Sequence, residues 1–142
     1  MTAPAVIFVC GRNAVRSPMA EALYRRLVGE GARASSCGVE PAGMADGYMI
    51  SVMAELGEDL SDFDCRDLAD AREDPADLVV CLAADVDAEA RAFAEKRGAR
   101  YALWPIEDPT RADGDRFLKL AAYRAARDAI EARISALGAE SA

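Results

Sequence analysis

A cysteine and an arginine separated by residues 11–15 form the pair in this sequence that points most directly to chemistry. Cys10 follows a short apolar stretch, and Arg16 stands just before Ser17 and Pro18. A guanidinium can bind two oxygens of a tetrahedral anion at once, and a thiolate is a strong nucleophile. The spacing therefore indicates a thiol that faces a bound oxyanion.

The absence of histidine limits the chemistry further. The sequence contains no histidine, which excludes Ser-His-Asp triads, Cys-His dyads and imidazole general bases. Acid–base catalysis would have to come from Asp, Glu, Cys, Tyr or Lys. The cysteines are spaced too widely for a Cys-x-x-Cys pair, so no metal site is expected. The four stand at Cys10, Cys37, Cys65 and Cys81.

Composition and charge exclude several classes of protein. The chain has 142 residues, of which 52% are hydrophobic and 30% charged, so we expect residues 1–142 to form one globular domain. No apolar run of about 18 residues predicts a membrane span. The net charge of −8 disfavours nucleic acid and membrane surfaces as partners. The first residues lack a basic secretory signal, so we expect a cytoplasmic protein with reduced thiols.

Strand and helix patterns alternate along the chain. Short apolar stretches predict strands, and apolar residues at helical spacing predict helices. This alternation predicts an α/β fold: a four-stranded parallel sheet with helices on both faces, in three layers. Ligands of such sheets bind beyond the carboxyl ends of the strands. The predicted strands are 4–9, 32–37, 77–83 and 100–104, and the predicted helices are 17–28, 46–56, 85–97 and 113–137.

The pattern also makes predictions about single side chains. Ser17 is expected to cap the first helix, with Pro18 at its first position. The last helix is expected to direct five apolar residues towards the core, namely Phe117, Leu120, Ile130, Ile134 and Leu137. Core packing is also expected for Cys81, Trp104 and Tyr101, and a solvated face for Arg25 and Arg26.

The loop between the first strand and the first helix is the predicted anion site. Backbone N–H groups in such a loop, together with the helix dipole, attract negative charge. The same field favours the thiolate form of Cys10. The hydroxyl of Ser17 can donate a hydrogen bond to that sulfur in place of the absent histidine.

Three segments together resemble the low-molecular-weight protein-tyrosine phosphatases. They are VIFVCGRNAVRSPMAEAL at 6–23, DLVVCLAAD at 77–85 and Ile-Glu-Asp-Pro at 106–109, in the family's order over most of the chain. The resemblance implies that Cys10 attacks phosphorus, that Arg16 stabilises the equatorial oxygens, and that Asp108 serves as acid and then base. The other members of the phosphate-binding loop are then Gly11, Arg12, Asn13, Ala14, Val15 and Ser17, with Asn13 in a left-handed turn.

The resemblance also implies the reaction and its partners. It implies hydrolysis of phosphate monoesters, with protein phosphotyrosine as substrate, through a phosphocysteine intermediate. The partners would be a phosphorylated protein or a small phosphate monoester, with inorganic phosphate or another oxyanion in the loop. No metal or cofactor is expected, because N–H groups and Arg16 supply the positive charge. The chain is expected to be a monomer or a weak dimer.

Five residues, at three places in the chain, depart from the family's pattern. Gly11 precedes Arg12, whereas the family usually places a side chain first and glycine second. We hypothesise that Arg12 shifts preference towards acidic substrates; the alternative is that it points into solvent. Thr110 and Arg111 stand where many relatives have tyrosines, which weakens the case for phosphotyrosine. Val15 occupies the position of a second loop cysteine found in some relatives.

Two other functions remain open. A thiol-dependent arsenate reductase shares this fold and loop but needs two further cysteines to carry the oxidation outward. Cys81 is near the required strand, yet residues 82–100 contain no cysteine. Cys37 is the last residue of the second predicted strand and is either structural or a redox partner, while Cys65 is expected to be structural. The third possibility is a non-catalytic module that binds phosphate or another anion.

Overall fold

A four-stranded parallel sheet forms the centre of the molecule. The computed structural model describes residues 3–141, with side chains described to residue 137. The strand order is β2-β1-β3-β4, and all three pairings are parallel, as the sequence predicts. The strands are β1 (Val6–Cys10), β2 (Ala34–Gly38), β3 (Leu78–Cys81) and β4 (Arg100–Leu103).

Helices cover both faces of the sheet and complete the three layers. They are α1 (Arg16–Val28), α2 (Gly47–Ala54), α3 (Asp87–Lys96) and α4 (Arg116–Ser141). Single 3₁₀ turns lie at Ala84–Val86 and Pro109–Arg111. No helix in the described range 3–141 is long and apolar enough to cross a membrane.

The central strand explains how the core divides into two layers. Every residue of β1 is buried, as expected for a parallel strand covered on both faces. Side chains alternate between the faces of a strand. Val6 and Phe8 belong to a cluster with residues of α1, α2 and α4, whereas Ile7 and Val9 pack in a second cluster with residues of α3.

The topology places a crevice at the carboxyl end of β1. Strand β1 pairs with β2 on one side and with β3 on the other. The chain connections therefore separate at this point of the sheet. Such a switch point is where open α/β sheets bind ligands. Cys10 lies opposite Gly38 at this end of the sheet.

Two predictions about single side chains are wrong. Helix α1 begins at Arg16, so Pro18 is its third residue and not its first. The N-cap position is Val15, and no side chain caps the helix. Ser17 is fully buried and faces the loop instead. Phe117 is 72% exposed rather than in the core. At about 100° per residue it lies roughly 120° around α4 from Tyr123, which is on the buried stripe.

The other side-chain predictions are confirmed. Trp104 is buried beside Phe8, with ring centroids 6.3 Å apart. Cys81 is fully buried, and Tyr101 packs against the same cluster as Cys81. The remaining predicted core residues of α4 are buried or packed against the core, namely Leu120, Ile130, Ile134 and Leu137. The exposed faces of Arg25 and Arg26 are also confirmed.

Candidate active site

The loop that joins β1 to α1 has the conformation expected of an anion site. Cys10 ends β1, Arg16 begins α1, and residues 11–15, the oxyanion loop, lie between them. Asn13 has a φ of 52°, which confirms the left-handed turn predicted for it. Asparagine tolerates this region better than most residues that have a side chain.

Hydrogen bonds from the segment after β2 hold the loop carbonyls outward. Backbone N–H groups of residues 39, 40, 42 and 46 donate to the carbonyls of residues 10, 11, 12 and 14, at 3.2, 2.8, 2.9 and 3.1 Å respectively. Within the part of the chain that the structure describes, the N–H groups of residues 12–15 have no backbone acceptor. They are therefore available to an anion.

A glycine at the end of β2 allows this close approach. A Cβ on Gly38 would lie 2.7 Å from the nitrogen of Asn13 and 2.9 Å from both Arg12 C and Gly11 O. These are backbone atoms, so any other residue would displace the loop. No sequence pattern predicts this role of Gly38; the only signal is a glycine directly after a predicted strand.

A buried polar network fixes the side chain of Asn13. Its Oδ1 accepts the backbone N–H of Arg66 at 2.8 Å, and this contact determines which end of the amide is the donor. Its Nδ2 then donates to Ser17 Oγ at 2.9 Å and to Ser36 Oγ at 3.0 Å. Ser36 Oγ in turn donates to Glu21 Oε1 at 2.8 Å. Burial raises the pKa of Glu21, although Ser36 and Arg25 oppose the increase.

The network prepares Ser17 to stabilise a thiolate. Cys10 Sγ lies 2.9 Å from Ser17 Oγ. A thiolate carries no hydrogen, so in that state Ser17 must be the donor. Asn13 already donates to Ser17 Oγ, which leaves the single hydroxyl hydrogen for the sulfur. The other acceptor within reach, the carbonyl of Cys37, is more distant at 3.5 Å. The hydrogen bond predicted from Ser17 to Cys10 thus has the required geometry.

Arg16 links the oxyanion loop to the segment that carries Asp108. Its side chain is 12% exposed, and its Nη1 donates to the carbonyl of Ile106 at 2.9 Å. Its Nη2 lies 3.8 Å from Asp108 Oδ2. The guanidinium is thereby held beside both the loop and the carboxylate.

Asp108 begins the 3₁₀ turn Pro109–Arg111. Its Oδ1 accepts hydrogen bonds from the backbone N–H of Thr110 at 3.0 Å and from Thr110 Oγ1 at 2.7 Å. Partial burial raises the pKa of Asp108, but the bonds from Thr110 and the charges of Arg16 and Arg111 outweigh it. The pKa is lower than usual as a result. No sequence pattern predicts this contact of Thr110.

One cleft brings the predicted site residues together. It has a volume of about 520 Å³ and is lined by residues that include Cys10, Arg12, Arg16, Met44, Asp108 and Thr110. Arg12 is exposed and lines the cleft. Met44, whose side chain is 77% exposed, forms part of the outer wall.

The other three cysteines are less suited to nucleophilic attack. Cys37 and Cys81 lie on either side of Val9 in the sheet, and both are buried. Burial raises the pKa of Cys37 to about 12 and also raises the pKa of Cys81. Partial burial raises the pKa of Cys65. Burial therefore disfavours the thiolate form at all three positions.

Known proteins match this chain over nearly its whole length. Residues 5–141 match the family model described as low molecular weight phosphotyrosine protein phosphatase. An arsenate reductase of Halalkalibacterium halodurans is 31% identical over 137 residues, which is 94% of each chain. A probable low molecular weight protein-tyrosine-phosphatase, EpsP, of Ralstonia solanacearum is 32% identical over 141 residues, 94% of this chain and 97% of that one.

A solved structure agrees with the sequence matches. The YwlE arginine phosphatase from Geobacillus stearothermophilus superposes with a TM-score of 0.77 at 26% identity, covering 96% of this chain and 92% of that chain. The relatives thus carry names of both phosphatases and arsenate reductases. The chain belongs to the low molecular weight phosphotyrosine protein phosphatase family.

Proposed function

We propose that this protein is a cysteine-dependent phosphatase that hydrolyses phosphate monoesters, including phosphotyrosine in proteins, through a phosphocysteine intermediate. The observation that carries the proposal is the convergence of Cys10, Arg16 and Asp108 on one cleft. Each has a partner suited to its role: Ser17 for the sulfur, Ile106 for the guanidinium and Thr110 for the carboxylate.

The first step is attack of sulfur on phosphorus. The N–H groups of the oxyanion loop and Arg16 bind the phosphate oxygens and stabilise charge as it spreads over them. The Cys10 thiolate forms the S–P bond while the bond from phosphorus to the ester oxygen breaks. Asp108, in its protonated form, gives its proton to the departing oxygen. A phosphate dianion beside the carboxyl favours that protonated form, since two negative charges would otherwise lie close together.

The second step returns the enzyme to its starting state. Asp108, now a carboxylate, takes a proton from a water molecule that attacks the phosphocysteine. The S–P bond breaks, inorganic phosphate is released, and the electron pair returns to Cys10 as a thiolate. The hydroxyl of Ser17, 2.9 Å from Sγ, stabilises that leaving group.

Two side chains in the wall of the cleft support an aryl phosphate as substrate, although Thr110 stands where many relatives have a tyrosine. Met44 offers a different contact, since a thioether packs favourably against an aromatic ring. The exposed guanidinium of Arg12 adds positive potential beside this wall. We therefore propose aryl phosphates with acidic surroundings as preferred substrates.

Arsenate reduction is the second candidate because relatives with that name match the chain at 31% identity. Cys81 lies one strand away from β1, opposite Val9. The reaction would also need a thiol that carries the oxidation outward, and the segment 82–100 supplies none. The buried thiol of Cys37, with its pKa raised to about 12 by burial, is a poor substitute.

Hydrolysis of 4-nitrophenyl phosphate without added metal, from pH 4 to 8, tests the proposal. The wild type should turn over, and Cys10→Ser should be inactive yet still bind phosphate. Two other results would reject the proposal. A wild type that reduces arsenate with a thiol donor but hydrolyses no ester would favour the reductase. A wild type that only binds phosphate would favour the non-catalytic module.

A further inference from the structure

The two carboxylate oxygens of Asp108 have different surroundings. Oδ1 accepts two hydrogen bonds from Thr110, one from the backbone N–H at 3.0 Å and one from Oγ1 at 2.7 Å. Oδ2 lies 3.8 Å from Arg16 Nη2. The carboxylate is therefore held on one side and directed at the guanidinium of the cleft on the other.

This difference determines which carboxylate oxygen of Asp108 is protonated in the neutral acid. A hydrogen on Oδ1 would meet the two hydrogens that Thr110 already donates to that atom. A hydrogen on Oδ2 displaces no donor, because the 3.8 Å separation from Arg16 exceeds hydrogen-bond distance. The neutral acid therefore carries its proton on Oδ2, on the side of Arg16.

We propose that Thr110 is a positioning residue for the acid–base step: its hydroxyl holds Asp108 so that Oδ2 exchanges the proton with the departing oxygen and with water. The proposal rests on the proposed phosphatase function. It assigns to Thr110 a task beyond lining the cleft.

The turn itself does not require the hydroxyl. The backbone N–H of Thr110 already caps the short turn through Oδ1. Thr110 is exposed, and a hydrogen bond on the surface adds little to folding stability. A tyrosine at this position would carry its hydroxyl at the far end of a ring, too distant to bond a carboxylate two residues earlier. The contact thus depends on a short side chain with a hydroxyl at position 110.

Several groups set the charge around Asp108. Arg16 of α1 and Arg111 of the same turn lower its pKa together with Thr110, against partial burial. The charge of Asp108 also contributes to raising the pKa of Tyr123 of α4. The Tyr123 hydroxyl donates to Asp46 at the start of α2. These groups and Cys10 across the cleft stay in place when the hydroxyl of Thr110 is removed. Loss of that donor should therefore raise the pKa of Asp108.

The test is kcat/KM against pH for the wild type, Thr110→Val and Thr110→Ser. Two substrates are used, 4-nitrophenyl phosphate and a simple alkyl phosphate, because the alkyl leaving group depends more on general acid. In Thr110→Val, the decline of kcat/KM at high pH should occur at a pH that is higher by roughly 0.5 to 1. Activity on the alkyl ester should fall about tenfold more than on the aryl ester. Thr110→Ser, which keeps the hydroxyl, should restore both.

The possible failures are distinguishable. A Thr110→Val enzyme with wild-type profiles on both substrates, in a protein whose turnover depends on Cys10, overturns the role of Thr110 alone. Equal losses in Thr110→Val and Thr110→Ser would also overturn it, since only the hydroxyl is at issue. A wild type without turnover rejects the phosphatase function and the role of Thr110 with it.

Discussion

Gly38 and Asn13 approach so closely that a Cβ on Gly38 would lie 2.7 Å from the backbone nitrogen of Asn13. The end of β2 therefore acts as a template for the oxyanion loop. The residues that follow Gly38 bind the loop carbonyls and leave the N–H groups of residues 12–15 available. The anion site is built by two chain segments, not by the loop alone.

Gly38→Ala should displace the loop and weaken oxyanion binding. The added methyl group meets backbone atoms that cannot rotate away, so we expect a stability loss of about 1–3 kcal/mol and at least a tenfold loss of turnover. Phosphate titration by calorimetry and unfolding in urea measure the two effects. Gly43→Ala is the matched control, since a Cβ there has no atom within 4 Å. Wild-type phosphate affinity in Gly38→Ala would contradict the template role.

Ser17→Ala should make the Cys10 thiolate harder to form. It removes the hydroxyl 2.9 Å from Sγ and leaves one hydrogen of the Asn13 amide without its acceptor. A hydrogen bond to a charged group contributes about 1.5–3 kcal/mol. The rate of alkylation by iodoacetamide at pH 7 should therefore fall by about ten- to a hundredfold. Ser51→Ala, on the exposed face of α2, should leave the rate unchanged. An unchanged rate in Ser17→Ala would contradict the role of Ser17.

Arg12→Ala should reduce the preference for acidic phosphopeptides. The side chain is exposed at the cleft that holds Cys10, so its effect should be electrostatic and weaken with salt. We expect kcat/KM to fall several-fold for acidic peptides and little for neutral ones. Arg100→Ala, at the amino end of β4 and thus the opposite edge of the sheet, is the control. An unchanged ranking of peptides in Arg12→Ala would mean that Arg12 points into solvent and does not affect substrate preference.

The contribution of Glu55 to stability should disappear in acid. Hydrogen bonds from Arg124 and Arg127 lower the pKa of this exposed residue from 4.5 to about 2 and join α2 to α4. A carboxylate whose pKa is lowered by folding stabilises the protein above its unfolded pKa, and this stabilisation is lost as pH falls towards the folded value. Urea unfolding should therefore separate wild type from Glu55→Gln at pH 7 but not near pH 2. A constant difference across this range would contradict the assignment.

Local motifs and parallel topology explain why much of the site is predictable. The turn at Asn13 and the bond from Ser17 to Cys10 lie within one short segment. Asp108 follows the last strand, and parallel strands bring their carboxyl ends to one edge. The approach of Gly38 and the donor from Arg66 to Asn13 depend on packing between distant segments, for which the sequence carries no periodic signal.

The two wrong side-chain predictions have different causes. Serine before proline is a frequent helix start, but the loop needs the hydroxyl of Ser17 inside the site, so Val15 takes the N-cap position without a side-chain bond. Phe117 fits an apolar pattern in sequence, yet its angle around α4 places it off the stripe that contains Tyr123, Ala126 and Ile130. The first error arises because tertiary structure overrides a local preference, and the second because an apolar residue lies outside the buried stripe of its helix.

Trapping the phosphocysteine intermediate would show whether Cys10 is the nucleophile. Asp108→Ala removes the base that activates water, so the intermediate should accumulate when the protein is mixed with an aryl phosphate and quenched in acid. Mass spectrometry of peptides should then place one phosphoryl group on Cys10, and none in a variant that also carries Cys10→Ser. Phosphate found on another residue, or ester hydrolysis that continues in Cys10→Ser, would contradict the proposed mechanism.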